Sequence, residues 1–195
     1  MSKKKVGKKE QFTQPQKSKT PMIVGVLVAV AAVVFVATQF IGGGEDRNIE
    51  YFGEPVATPR SYIGEFIGMT TVEPVIEDGQ IKLSFDEVDR NNIVYFESEN
   101  DQGDMVPIMA YITPTGRLFV GSSMCEPCRG TTFSLAGETI VCGNCQTTFT
   151  VEDHDFIAGV VACGQYPPIN MYPTIEDDTI IIDQQEVLNW RIRSL

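Results

Sequence analysis

The chain has 195 residues, enough for one domain of ordinary size with appendages, and its 43% hydrophobic content matches an ordinary globular protein. Fifteen Lys and Arg stand against 26 Asp and Glu, a formal net charge of −11. From residue 45 onward eight basic residues face twenty-five acidic ones, so this portion repels nucleic acid and anionic lipid, and neither is expected as a partner.

The first segment, residues 1–21, is a Lys-rich tail with seven Lys (3, 4, 5, 8, 9, 17 and 19) and one Glu in its first twenty positions. Residues 22–41 read MIVGVLVAVAAVVFVATQFI, twenty residues without a charge. At about 1.5 Å rise per residue, a helix of that length crosses the roughly 30 Å hydrocarbon layer. A cleaved signal peptide carries an apolar run of only about 7 to 15 residues and ends at a small-residue cleavage site. The glycines that follow, Gly42 to Gly44, read instead as a flexible exit from a retained transmembrane helix. Lys near a span stays on the cytoplasmic side, so the expected protein is single-pass in the cell membrane. Its N-terminus is cytoplasmic and its C-terminal domain extracytoplasmic.

Residues 42–78 are rich in Gly and Pro without sustained periodicity, which predicts a linker or peripheral segment. Within it, Tyr62, Phe66 and Met69 are spaced to share one face of a short helix. Residues 79–195 form the expected β-rich domain. Ile81, Leu83 and Phe85 alternate with Lys82 and Ser84, the period of a strand. Asn91-Asn92 punctuates before IVYFESE, and TPTG separates VPIMAYI from RLFVGSS as the turn of a hairpin. Around Ala136-Gly137 the segments 131–135 and 138–141 predict a second hairpin with a CxxC at each end. TTFTVED, GVVAC and TIIID are further strand-like stretches. Asp183 with Glu186 resembles a capping box and predicts a short terminal helix carrying Val187, Leu188 and Trp190.

Five cysteines are arranged as Cys125-x2-Cys128, thirteen residues, Cys142-x2-Cys145, seventeen residues, then Cys163. Two residues between thiolates let both sulfurs face one metal, and a hairpin brings a second pair to the other side. Gly130 and Gly143 are expected to supply left-handed turns that point backbone N–H groups at sulfur. The pattern predicts metal without naming it. Zinc with four thiolates is the usual occupant of CxxC…CxxC and would be a structural staple. An iron-sulfur cluster takes the same four thiolates and makes the domain an electron carrier or redox sensor. Zn²⁺ and an oxidised two-iron cluster, each with four thiolates, both total about −2, so charge does not separate them. Disulfides are the third reading, which an oxidising compartment favours.

The segments IKLSFDEVD, RLFVGSSMCEPC, IVCGNCQTTFTVED and GVVACGQYPPINMYPTIEDDTIIID carry a resemblance to the FtrD-like family of membrane iron-sulfur-containing proteins, found beside iron-transport components. The resemblance spans about residues 80–188 and includes Cys163. It implies an iron-sulfur cluster, two-iron or four-iron, and redox or iron-transport partner proteins. CGNCQTTF and the Gly-Pro loop before an Ile-rich strand are also distantly similar to Rieske domains. Rieske centres need two His, and the single His154 excludes that cluster. What that likeness implies is architecture: a mainly β, Rieske-like antiparallel domain with two CxxC metal-binding loops, preceded by one transmembrane helix. Cofactor and metal ligands are thus expected at Cys125, Cys128, Cys142 and Cys145. Cys163 stands open between alternate ligand, cover over the cluster and small buried hydrophobe.

Other residues near the cysteines have plainer expectations. His154 between Asp153 and Asp155 reads as a solvated loop residue, Arg129 as either a counter-charge or a surface residue, and Pro167-Pro168 as a turn at the site edge. GxSxG, HExxH and phosphate-binding loops are absent from the sequence, and no Cys–His pair is arranged for nucleophilic catalysis, which disfavours hydrolases and nucleotide enzymes. The functions that remain are an extracytoplasmic iron-sulfur protein for one-electron transfer, a zinc-stapled binding module, and a carrier of a soft ion such as Cu(I).

Overall fold

The computed structural model describes residues 52–194. The expected tail at 1–21 and span at 22–41 lie outside the described residues, and no helix among those described is long and apolar enough to cross a membrane.

Short strands form three sheets. The first is ordered β1 (Phe66–Gly68), β8 (Phe133–Ala136), β9 (Thr139–Cys142), β10 (Thr148–Thr150) and β11 (Phe156–Ala158). The second is ordered β12 (Thr174–Glu176), β13 (Thr179–Asp183), β4 (Gln80–Ser84) and β3 (Val75–Glu77). The third holds β2 (Thr70–Thr71), β5 (Ile93–Glu99), β6 (Met105–Ile112) and β7 (Leu118–Ser122). The pairings are antiparallel except for β2 with β5, which run parallel.

The third sheet is covered on both faces. Side chains alternate across a strand, so neighbouring residues enter different cores. On β6, Val106, Ile108, Ala110 and Ile112 join one core with Leu83, Ile180 and Ile182 of the second sheet. Met109 and Tyr111 join the other, with Phe133, Leu135, Ile140 and Phe149 of the first sheet. Two-sided burial explains why VPIMAYI is apolar throughout instead of alternating. Cys125, Cys142 and Cys163 lie in this second core, so the cysteine loops are anchored to it directly.

Among the described residues, three short helices punctuate the strands. The predicted strand ends at Ser84, whose hydroxyl accepts from the Glu87 N–H and starts α1 (Phe85–Asn91), so Phe85 is helical. Ser84-x-x-Glu87 is a helix-start pattern that competes with the alternation of two, and the cap prevails. Asn92 ends α1 with φ 63, a positive φ that Asn tolerates better than most residues. GVVAC does not form the predicted strand; α2 (Val161–Gly164) takes its place. Asp183 caps α3 (Gln184–Leu188) by accepting from the Gln185 N–H, and the helix stops before Trp190, which packs half-buried on the core.

Tyr62, Phe66 and Met69 share no helix. Tyr62 is buried with its hydroxyl donating to the Ile112 carbonyl at 2.6 Å, and Phe66 lies exposed on β1. β1 pairs with β8, register Phe66↔Ala136, so part of the expected peripheral segment flanks the cysteine-bearing hairpin.

Candidate metal centre

The two CxxC segments are built alike. The first, Cys125 to Gly130, lies between β7 and β8; the second, Cys142 to Thr147, joins β9 to β10. In the first, the Arg129 N–H donates to the Cys125 carbonyl and the Cys125 N–H to the Gly130 carbonyl, both at 2.8 Å. In the second, the Gln146 N–H donates to the Cys142 carbonyl at 3.0 Å and the Cys142 N–H to the Thr147 carbonyl at 2.9 Å. Cys125 therefore corresponds to Cys142, Cys128 to Cys145, Arg129 to Gln146 and Gly130 to Thr147. The β8–β9 register, Phe133↔Cys142, holds both loops at one end of the hairpin.

The glycines serve a purpose other than the expected one. The left-handed residues are Arg129 and Gln146, each with φ 59, one position after the second Cys of its loop. Gly130 and Gly143 are instead required for lack of a side chain. A Cβ on Gly130 would lie 2.7 Å from Asn144 Cβ and 3.0 Å from Cys142 Sγ, and one on Gly143 would lie 2.6 Å from Thr132 Oγ1. The loops are also tied directly: Asn144 Nδ2 donates to the Cys128 carbonyl at 2.9 Å, and the Gly143 N–H to the Thr132 carbonyl at 2.8 Å.

This packing gathers four sulfurs. Cys125 Sγ is 3.6 Å from Cys145 Sγ, Cys128 Sγ is 3.8 Å from Cys142 Sγ, and all four lie within 4.8 Å of one another. All five cysteines are free thiols, and these separations far exceed a disulfide bond of about 2.05 Å. Cys125 and Cys142 are buried, while Cys128 and Cys145 are half-buried at the outer edge.

The protein groups around the sulfurs sort them electrostatically. Burial pushes the Cys125 thiol well above its ordinary value, with the crowding of Cys128 and Cys163 adding to it. Burial likewise raises Cys142 to about 11, although the N–H groups of Cys145 and Asn144 pull the other way. At Cys145 burial also pushes upward but is outweighed by the hydroxyl and N–H of Thr147 and by the Cys128 and Cys142 thiols, so the group falls to about 6. As a thiol Cys145 donates through Sγ to Thr147 Oγ1 at 3.1 Å; on the thiolate the same hydroxyl, which also accepts from the Val160 N–H, turns its own hydrogen to the sulfur. Thiolates gathered this closely repel, and a bound cation relieves that repulsion.

Cys163, carried on α2, is buried with its thiol beside Cys125 and Cys145, but it is not one of the four sulfurs that share a centre. Gly159, φ 107, lets this segment close over the second loop, because a Cβ there would lie 2.6 Å from Thr147 Cα.

His154 departs from its expectation as a solvated residue. It is 5% exposed, with Nε2 2.6 Å from the Tyr111 hydroxyl and its ring edge-on to Phe119 at 4.7 Å. Burial holds its pKa down at about 3, against a raising influence from the Pro168 carbonyl, so the ring is a neutral packing element. Arg129 is exposed, and Pro167 presents its carbonyl to Arg193 Nη2 at 2.8 Å. That arginine also grips Glu126, inside the first CxxC, through Nε and Oε2 at 2.8 Å. Glu126 and Arg193 do not stand out in the sequence, because each acts through a partner 67 residues away.

Four sulfur donors facing one point, with backbone N–H groups directed at them and no room for a Cβ between the loops, suit a thiolate-bound metal. No curated protein and no solved structure matches the chain. The model of one family, described as membrane iron-sulfur containing protein FtrD-like, matches residues 88–193, which takes in β5 to β13 and every cysteine. The chain belongs to the FtrD-like family of membrane iron-sulfur-containing proteins.

Proposed function

We propose that this protein is a membrane-anchored, extracytoplasmic one-electron carrier whose iron is held by Cys125, Cys128, Cys142 and Cys145, and that it serves iron transport. The observation that carries the reading is the convergence of those four sulfurs within 4.8 Å in a protein of an iron-sulfur family. Residues 22–41 are the proposed span, residues 1–21 the cytoplasmic tail and residues 79–195 the bulk of the outer domain, into whose sheets the later part of the expected connecting segment 42–78 is built as β1, β2 and β3. The charge-free run and the Lys-rich flank support that order. We infer further that the β domain has a Rieske-like architecture, a reading supported by two loops gripping one site at the end of an antiparallel hairpin.

Iron bound there would supply a one-electron couple. The chain's own residues set its surroundings. Burial of Cys125 and Cys142 keeps water from half the donor set, and the Thr147 hydroxyl stabilises negative charge on Cys145. Cys128 and Cys145 lie at the outer edge, where an electron enters or leaves over the shortest path. Cys163 covers the inner side beside Cys125 and Cys145.

A zinc-stapled binding module is the second reading, favoured by the same sulfur separations, which are close to those of a tetrahedral zinc site. Full-length protein purified in detergent without oxygen separates the two. The redox reading predicts a coloured protein whose visible absorption changes reversibly on reduction and is lost in Cys142→Ser. A colourless protein carrying zinc would overturn it in favour of the staple, and chelator-exchangeable copper would point to soft-metal delivery.

A further inference from the structure

We propose that the four thiolates enclose a single metal ion, without inorganic sulfide. This rests on the reading above for the identity of the metal, iron, but the number of ions follows from the geometry of the chain.

A tetrahedral ion with metal–sulfur bonds of about 2.3 Å places its sulfurs about 3.8 Å apart along every edge. The two separations related by the likeness of the loops, Cys125 to Cys145 and Cys128 to Cys142, are 3.6 and 3.8 Å, and no pair in the set exceeds 4.8 Å. A two-iron cluster places its thiolates in pairs on separate irons bridged by sulfide. A four-iron cluster places each thiolate on its own iron. Either core holds sulfurs on different irons farther apart than any pair found here.

The loops are also fixed at this distance. The bond from Asn144 Nδ2 to the Cys128 carbonyl crosses between them, as does that from the Gly143 N–H to the Thr132 carbonyl. Gly130 lies so close to the second loop that even a methyl group would press on Asn144 Cβ at 2.7 Å and Cys142 Sγ at 3.0 Å. Admitting a metal-sulfide core would require breaking these bonds and parting the backbones. On the side of Cys125 and Cys145, the buried Cys163 thiol lies beside both sulfurs.

The test is stoichiometry on the full-length protein purified anaerobically in detergent. Iron and acid-labile sulfide are measured per chain, followed by reconstitution of the metal-free protein. The expected result is one iron per chain, no labile sulfide, a high-spin ferric resonance in the oxidised form, and full recovery on adding one equivalent of Fe(II) alone. Two or four irons with matching sulfide, or a reconstitution that needs a sulfide source, would overturn the single-ion site while leaving the electron-carrier reading intact. One zinc per chain without sulfide would support the single-ion site and overturn the electron-carrier reading.

Discussion

Arg193 is 67 residues from Glu126 in sequence, yet it is the cation that the buried carboxylate meets. The Glu126 side chain is 1% exposed, and its Oε1 has no hydrogen-bond partner among the described residues, so the bond to Arg193 Nε at 2.8 Å carries most of its stabilisation. Removing one partner of a fully buried pair costs roughly 3 to 5 kcal/mol, because a charge is left in a medium that solvates it poorly. The Arg193 side chain is 34% exposed, so water and salt screen part of the interaction, and a loss of about 2 kcal/mol is expected for Arg193→Ala. The lost bond to the Pro167 carbonyl and the stacking of the guanidinium over Tyr166, 5.1 Å from the ring centre, fall within that figure. Urea unfolding of the full-length protein in detergent, followed through the fluorescence of Trp190, the only tryptophan, measures the loss. If buried charge is the cause, Glu126→Gln removes it, and Arg193→Ala in that background costs no more than about 1 kcal/mol. Equal losses in both backgrounds would refute the electrostatic reasoning and leave Arg193 as a packing residue only.

Three further outcomes follow from the same geometry. Cys142→Ser removes one of the four gathered sulfurs, so the protein should lose most of its metal and several kcal/mol of stability, whereas Cys163→Ser, outside that set, should keep full metal content by elemental analysis. Gly130→Ala forces a methyl group to 3.0 Å from Cys142 Sγ, with an expected cost of about 1 to 3 kcal/mol and faster metal transfer to a chelator, read by competition kinetics. His154 stays neutral when folded down to a pH of about 3, while the unfolded ring takes a proton below about 6.5. Stability contributed by its burial is therefore complete above pH 6.5 and declines as pH falls through that window, by at most about 1.4 kcal/mol per pH unit. His154→Gln should flatten the slope of urea midpoint against pH between about 4 and 6; an unchanged slope would assign the acid sensitivity to other groups.

The sequence reveals much of this arrangement where the signal is local. The CxxC pairs and the Ala136-Gly137 turn predict a hairpin with its cysteine loops at one end, and β8 and β9 provide it. Alternation finds β4, and turn residues bracket β6 and β7. Signals that depend on partners far along the chain are not visible there. The buried positions of His154 and Glu126 result from Tyr111 and Arg193, more than forty residues away in each case. GVVAC carries strand-forming residues, but Gly159 turns the chain over Thr147 and a helical turn follows. The glycines of the cysteine loops are legible as necessary, yet the reason differs: close approach of two backbones requires them, while the left-handed conformation falls on Arg129 and Gln146. The family resemblance was legible as well, and the matched region, residues 88–193, lies largely within the segment that carries it.

If the sulfurs of both CxxC loops bind the same metal, iron-edge X-ray absorption on the anaerobic, detergent-solubilised protein reads that shared coordination. The expected spectrum shows an iron coordinated by sulfur alone, with bonds of about 2.3 Å, and loss of sulfur scattering in Cys128→Ser and Cys145→Ser alike. Iron coordinated by oxygen or nitrogen, or insensitive to either substitution, would contradict it.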